Sequence, residues 1–290
     1  MSNRIKIGVL ETAEMGEIPN PKPDTDNAGV GRFLRRIYSR ECKLKRNLPH
    51  GVFVRLLYFS EVFAMEANLK TRRLTVSAMM IAIATAMSFL CSVIPFLNQL
   101  FGGSFTFGSM ICIVIVSYMF GVRWGVFTGV VYAVLQMLLG HGTIVALFTP
   151  TDDSYMGLGV ALLVCLIDYL LAYTVLGLGG IFRHRVKGKG MAMCLGSIVA
   201  LFARYLCHIV SGALFYGLWA EWFFTQEGIY DLFGEWVLST FSGASLSIIY
   251  SIVYNGMYMI PEIILTAVLA FVLARIPQIR VLPTEAIHEA

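Results

Sequence analysis

The chain has 290 residues, of which 57% are hydrophobic and only 14% charged, and its mean hydropathy is +0.73. Soluble globular proteins carry about 25% charged residues, so this composition excludes an ordinary soluble domain and indicates an integral membrane protein. The formal net charge of +4 is small, and no basic run is interleaved with aromatic residues, so nucleic-acid binding is not indicated.

Residues 1–68 form a region that differs in composition from the remainder of the chain. Residues 19–27 are rich in Pro, Asp and Asn, and residues 32–46 are basic. The apolar stretch that follows is interrupted by Arg55 and Glu61, which makes it a poor candidate for a membrane span. We expect a basic N-terminal extension that is partly disordered or lies on the membrane surface. A further hypothesis is that translation starts at Met65.

Apolar segments dominate the chain from Leu74 onward. A helix needs about 20 mostly apolar residues to cross a bilayer. Six candidate spans lie at approximately 74–95, 105–121, 124–140, 157–182, 191–218 and 245–274. The sequence therefore predicts an all-α integral membrane protein, with a six-helix membrane domain at residues 69–278 and a short tail at 279–290.

The charges of the loops predict the orientation of these helices. The loops at 96–104, 141–156 and 219–244 contain no Lys or Arg, whereas basic residues cluster at the opposite ends, as in 183–189. Cytoplasmic loops carry the excess of Lys and Arg, so both termini are predicted to be cytoplasmic. Trp219, Trp222 and Trp236 then lie near the outer surface, either as an interfacial aromatic belt or as a lid over a site.

The first span carries a stripe of small residues, because Ala78, Ala82 and Ala86 recur every four residues. Small residues allow close approach of membrane helices. The stripe fits either a contact within the bundle or a docking face for another membrane protein.

Polar side chains inside the fourth and fifth spans are the main indication of function. Arg204 and His208 are four residues apart and share a helix face. A charge at the centre of a membrane helix costs about 2.5–3.5 kcal/mol on insertion scales, so it calls for a partner or a functional role. Asp168 lies at a similar depth, and it could pair with Arg204 or face a cationic ligand.

The last span adds further polar and aromatic residues to this set. Tyr250 and Tyr254 share a helix face, and Asn255, Pro261 and Glu262 follow within the same span. Aromatic faces beside a carboxylate suit an organic cation. An intramembrane enzyme that uses Asp168, His208 and Glu262 as acid–base groups remains an alternative. No P-loop, zinc-protease or serine-hydrolase motif is present, and no metal or cofactor site is indicated.

Four blocks of the chain resemble a known family. These are the alanine stripe at 78, 82 and 86, and the segments DYLLAYTVLGLGGIF, RYLCHIVSGALFY and YSIVYNGMYMIPE. Together they resemble the substrate-binding S component of an energy-coupling factor (ECF) vitamin transporter, and most closely the thiamine-specific S component. The resemblance covers residues 70–275 approximately.

The resemblance implies a set of ligand-binding residues and partners. Relative to the family pattern, Asp168 stands in place of Glu, and Gly102 or Gly103 stands where a first-loop tryptophan is expected, which Trp219 could replace. Partners implied by the family are thiamine, a transmembrane coupling subunit that docks on Ala78, Ala82 and Ala86, and two ATPase subunits. The ligand-binding residues implied are Asp168, Tyr169, His208, Tyr216, Trp219, Tyr250 and Asn255.

We therefore expect a non-enzymatic, high-affinity thiamine-binding subunit of an ECF-type importer in a prokaryotic cell membrane, which captures the vitamin at the outer face. An S component for another vitamin or for a thiamine precursor, and the intramembrane enzyme, are the alternatives.

Overall fold

The computed structural model describes residues 50–94, 106–152 and 154–279, with side chains described from Lys70 onward. The chain divides into two compact units, Met1–Ala64 and Met65–Ala290. Most of the predicted extension at 1–68, the glycines at 102 and 103, and the tail from residue 280 lie outside the described residues. The hypothesis of a start at Met65 stays a prediction.

The described residues form helices and turns and contain no strand. The α-helices of more than one turn in the described residues are α1 (His50–Val93), α2 (Ile111–Phe120), α3 (Val122–Leu139), α4 (His141–Phe148), α5 (Leu158–Val164), α6 (Lys189–Phe215), α7 (Ala220–Phe224), α8 (Glu235–Thr240) and α9 (Gly243–Leu273). A single helical turn at Ala172–Thr174 is not numbered, because it belongs to the continuation of α5. That continuation, through a π-helix and then a 3₁₀ turn, makes a membrane-length segment, Leu158–Gly180.

Five of the described segments are long and apolar enough to cross a membrane: Lys70–Val93, Val122–Leu139, Leu158–Gly180, Lys189–Phe215 and Gly243–Leu273. They match five of the predicted spans to within a few residues, and the prediction of an all-α membrane protein is confirmed. The remaining predicted span, at 105–121, corresponds to α2, which has 10 residues and is therefore about 15 Å long. The six-helix count stays a prediction.

Helix α2 is the centre of the hydrophobic core, since all of its residues are buried. The turn that precedes it is fixed by Glu262 of α9. The Glu262 carboxylate accepts hydrogen bonds from the Thr106 amide (3.2 Å), the Thr106 hydroxyl (3.0 Å) and the Gly108 amide (2.8 Å). This carboxylate therefore joins α9 to the start of α2.

Helices α6 and α9 pack closely along their lengths, and a glycine on α6 makes the approach possible. A Cβ atom at Gly212 would overlap the hydroxyl of Ser251 on α9. Gly196 faces a different neighbour, since its Cβ atom would overlap the backbone carbonyl of Gly179 in the segment Leu158–Gly180. Arg204, His208 and Ser211 lie on the same face of α6 as Gly212, since positions i, i+4, i+7 and i+8 of a helix coincide. The close contact thus places the polar residues of α6 beside α9.

The alanine stripe of α1 lies on the outside of the structure. Ala78, Ala82 and Ala86 are all exposed, whereas Ser77 and Ala84 on the same helix are buried. The stripe is therefore not used for packing within the described part of the chain, and its docking role remains a prediction.

Candidate ligand-binding site

A cavity of about 320 Å³ lies between the continuation of α5 at 165–174, α6 and α9, with α4 at its edge. This volume falls at the lower end of the range of small-molecule sites, about 300–1,000 Å³. The residues that line it come from four helical segments and are mostly tyrosines and polar side chains: Thr143, Asp168, Tyr169, Tyr173, Arg204, His208, Gly212, Tyr216, Tyr250, Tyr254, Asn255 and Tyr258.

The carboxylate of Asp168 is held by two side chains of α6. His208 donates from Nδ1 to Oδ1 over 2.9 Å, and Ser211 donates from its hydroxyl to Oδ2 over 2.6 Å. Because a carboxylate can only accept, Nδ1 of His208 carries the proton. The side chains of Asp168 and His208 retain 18% and 11% of their exposure, so both reach the cavity.

Arg204 does not pair with Asp168, which answers a question that the sequence left open. Its guanidinium carbon lies 3.9 Å from the centroid of the Tyr173 ring, a cation–π contact. The side chain is buried, and its Nε and Nη1 atoms have no hydrogen-bond partner. The Nε2 atom of His208 is likewise buried and unpartnered. Such groups are costly unless a ligand or water satisfies them.

Three tyrosines of α9 form one wall of the cavity. Tyr250, Tyr254 and Tyr258 are spaced four residues apart, so their rings follow one helix face. The ring centroids of Tyr250 and Tyr254 are 5.3 Å apart. Tyr258 donates its hydroxyl hydrogen to Oδ1 of Asn255 over 2.6 Å. The wall offers aromatic faces to a flat ligand.

The amide of Asn255 is engaged within the protein. Nδ2 donates to the carbonyl of Ser251 (2.9 Å), and it also lies 3.1 Å from the Ser251 hydroxyl and 3.3 Å from the carbonyl of His208. Asn255 therefore ties α9 to α6 at the level of the site, in addition to lining the cavity.

The segment that carries Asp168 and Tyr169 is not a regular α-helix. Cys165–Leu171 forms a π-helix between α5 and the helical turn Ala172–Thr174. Single π turns inside α-helices occur frequently at functional sites, because the wider turn redirects side chains. Both Asp168 and its neighbour Tyr169 line the cavity here, together with Tyr173 one turn later.

Trp219 is the one predicted binding residue that does not line the cavity. It lies in the turn Gly217–Trp219, and its ring centroid is 5.7 Å from that of the cavity residue Tyr216. Trp219 therefore contacts a residue of the cavity wall without lining the cavity itself. The six other predicted residues meet at the cavity: Asp168, Tyr169, His208, Tyr216, Tyr250 and Asn255.

Several lining residues were not among the predicted binding residues. Tyr254 and Tyr258 continue the face of Tyr250 at four-residue spacing, and Arg204 shares the face of His208, so their positions could be found from periodicity. Thr143 comes from α4 and has no signal in the sequence. Glu262 does not line the cavity, so the three acid–base groups of the enzyme alternative do not converge.

An all-helical membrane chain with a cavity lined by aromatic and polar side chains defines the class of membrane-embedded ligand-binding and transport proteins. The particular family follows from its sequence. The chain belongs to the thiamine transporter protein (Thia_YuaJ) family, whose sequence model matches residues 75–223. The predicted resemblance to thiamine-specific transport components and the prediction of a non-enzymatic transport protein are confirmed by this membership.

One relative is similar in sequence, and one solved structure is similar in fold. The chain is 27% identical over 199 residues to the thiamine transporter ThiT of Bacillus subtilis (strain 168), covering 65% of this chain and 84% of that protein. It also superposes on a solved structure of ThiT from Listeria monocytogenes with a TM-score of 0.50 and 21% identity, covering 72% of this chain and 97% of that one. At that identity the second similarity shows a shared fold.

Proposed function

We propose that this protein is the substrate-binding S component of an ECF-type importer and that it binds thiamine with high affinity in the cavity described above. The observation that carries the proposal is the convergence of a held carboxylate, unpartnered buried polar atoms and stacked tyrosines in one cavity. Thiamine is proposed as the ligand because the chain belongs to the thiamine transporter protein family.

The cavity offers complementary groups for the two halves of thiamine. The positively charged ring would be met by the carboxylate of Asp168 and by tyrosine faces, each of which contributes about 0.5–2 kcal/mol to cation binding. The polar edge of the other ring would form hydrogen bonds with the free Nε2 of His208 and with the free N–H groups of Arg204. Nanomolar affinity corresponds to about −12 kcal/mol, which several such contacts in a desolvated site can supply.

The position of the cavity along the helices supports capture from the outer face. Its residues include Thr143 of α4, Tyr216 just after α6 and Tyr250 near the start of α9. The basic loop at 183–189 joins the opposite ends of the bundle. With that loop in the cytoplasm, as the positive-inside rule requires, the cavity is in the outer half of a prokaryotic cell membrane.

ATP-driven transport would need partner subunits, because the sequence carries no ATP-binding motif. The exposed stripe of Ala78, Ala82 and Ala86 would dock on the transmembrane coupling subunit, which works with two ATPases. Small exposed side chains permit the close helix contact that such docking needs in lipid.

A titration of the purified protein in detergent tests the proposed ligand. Thiamine is added while tryptophan fluorescence is followed, with biotin as an unrelated vitamin. Because the ring of Trp219 packs against that of the cavity residue Tyr216, we expect saturable quenching by thiamine that is lost in Trp219→Phe. No response to thiamine in fluorescence and no binding in a parallel calorimetric titration would contradict the proposal.

A neutral thiamine precursor is a second candidate ligand, because the charged groups of the cavity partly compensate one another. Asp168 is already paired with His208 and Ser211, while Arg204 adds a positive charge to the same cavity. A competition titration with the aminopyrimidine half of thiamine alone distinguishes the two. If thiamine is the ligand, the fragment will compete at least about 100-fold more weakly, because it lacks the cation–π contacts.

A further inference from the structure

The connection between α6 and α9, residues 217–240, packs against the back of the cavity wall. It contains the turn Gly217–Trp219, α7, a π turn at Tyr230–Gly234, and α8. Its buried apolar residues form one cluster with Tyr250 of α9, with Tyr216 and Tyr254 packed against it. Three of the tyrosines that line the cavity are therefore packed against this connection.

Phe223 is the residue of the connection that touches the α9 tyrosines most directly. Its side chain is fully buried, and its ring lies 5.4 Å from the ring of Tyr250 and 5.7 Å from that of Tyr254, edge-on to both. The neighbouring Phe224 is equally buried, but its ring contacts are with Phe223 and Phe233.

Close backbone contacts fix the connection to its surroundings. A Cβ atom at Gly217 would overlap the side chain of Ser247 on α9, and one at Gly234 would overlap the carbonyl of Phe224. The first contact anchors the turn after α6 to α9, and the second holds the π turn against α7. Phe223 is thus presented from a backbone that has little room to shift.

We propose that Phe223 is a positioning residue for the ligand site, which holds the rings of Tyr250 and Tyr254 in the orientation that a stacked ligand requires. The inference rests on the proposed function for the identity of the ligand. A tyrosine ring in a binding site is effective only when packing locks its rotamer, and Phe223, which does not line the cavity, supplies that packing to both rings.

The test compares Phe223→Leu with Phe224→Leu, which removes the same ring from an equally buried position on the same helix. Both variants should lower the midpoint of thermal unfolding to a similar extent. We expect Phe223→Leu to raise the Kd for thiamine about 10-fold or more, and Phe224→Leu to leave it within about 3-fold of wild type. Equal effects of the two variants on Kd would overturn the proposal.

A double-mutant cycle shows whether Phe223 acts through the tyrosines. Phe223→Leu is combined with Tyr254→Leu, and the Kd for thiamine is measured for all four proteins. If the phenylalanine acts by holding the tyrosine, its replacement will have a much smaller effect when Tyr254 is absent. Additive effects would contradict the proposal.

A measurement without ligand separates this inference from the proposed function. The protein is labelled with fluorotyrosine, and the fluorine NMR signals of Tyr250 and Tyr254 are assigned with the two Tyr→Phe variants. Phe223→Leu should shift both signals, while Phe224→Leu should leave them in place. Unshifted signals overturn the positioning role whatever the ligand is, whereas shifted signals in a protein that does not bind thiamine refute only the proposed function.

Discussion

Asp168 carries the most specific role in the site. Its carboxylate is oriented by His208 and Ser211, and it is the acidic group among the residues that line the cavity. Asp168→Asn keeps the shape of the side chain but removes the charge. Because hydrogen bonds to charged groups are worth about 1.5–3 kcal/mol, we expect thiamine affinity to fall about 10- to 100-fold in a calorimetric titration.

The control for this variant is Asp231→Asn, which removes a carboxylate from an exposed position in the α6–α9 connection. It should bind thiamine like the wild type. An Asp168→Asn protein that is folded and binds with unchanged affinity would remove Asp168 from the site.

Glu262 has a different role from Asp168, although both are carboxylates within membrane-length helices. It accepts three hydrogen bonds from Thr106 and Gly108 and does not line the cavity. We expect Glu262→Gln to destabilise the protein by about 1.5–3 kcal/mol, because the amide cannot accept all three hydrogen bonds. Thermal unfolding in detergent should show a clearly lower midpoint. An unchanged midpoint would contradict the role of Glu262 in joining α9 to the turn before α2.

At the scale of helices, the contact between α6 and α9 determines the geometry of the site. Gly212 faces Ser251 with no space for a side chain, and Nδ2 of Asn255 would lie 3.1 Å from an added Cβ. Gly212→Ala should therefore separate the helices, cost about 1–3 kcal/mol of stability and weaken thiamine binding. Thermal unfolding and a thiamine titration measure both effects.

Two further variants make this test specific. Gly159→Ala on α5 has nothing within 4 Å of the added Cβ, so it should leave affinity unchanged and should not lower stability, since Ala favours a helix over Gly. In Gly212→Ala with Ser251→Ala, removal of the hydroxyl should recover part of the loss. A double variant that is no better than Gly212→Ala alone would show that the overlap with Ser251 is not the cause.

The sequence predicted the long helices well and the short or irregular ones poorly. Lys189–Phe215 and Gly243–Leu273 are continuous apolar segments, and length and hydropathy suffice to find them. The π-helix at Cys165–Leu171 has no sequence signal, because its hydrogen-bond pattern depends on packing against neighbouring helices. The apolar segment at 105–121 was found in the sequence, but its hydropathy did not show that the α-helix within it, α2, has only 10 residues and is completely buried.

Some residues of the site could be predicted from the sequence and others could not. The difference depends on how unusual each side chain is in an apolar helix. Polar groups in apolar helices, such as Asp168 and His208, stand out because burying them is costly. Thr143 does not, since a threonine in a connecting helix is unremarkable in sequence. Asp168 pairs with His208 rather than with Arg204 because of how the π-helix Cys165–Leu171 is rotated relative to α6. No pattern in a single sequence predicts that rotation.

For the molecule as a whole, the proposed importer places ligand binding and partner docking on separate surfaces. The cavity lies among the continuation of α5, α6 and α9, whereas the alanine stripe is on the exposed face of α1. Ala82→Trp should therefore leave thiamine binding unchanged and abolish thiamine uptake by cells that express the complete transporter, because the bulky ring prevents close helix contact.

The matched control for docking is Ile83→Trp. Ile83 is 45% exposed on the same helix, but the neighbouring position lies about 100° around the axis and outside the stripe. This variant should retain uptake. If Ile83→Trp and Ala82→Trp impair uptake equally, the stripe is not a specific docking surface.

The most direct test of the proposed function is a structure of the protein determined in the presence of saturating thiamine. We predict that the vitamin occupies the cavity, with its rings between Tyr216 and the α9 tyrosines and with polar atoms within hydrogen-bonding distance of Asp168 and His208. Thiamine bound at another place in the chain, or a cavity that remains empty at saturation, would contradict the assignment of this cavity as the thiamine site.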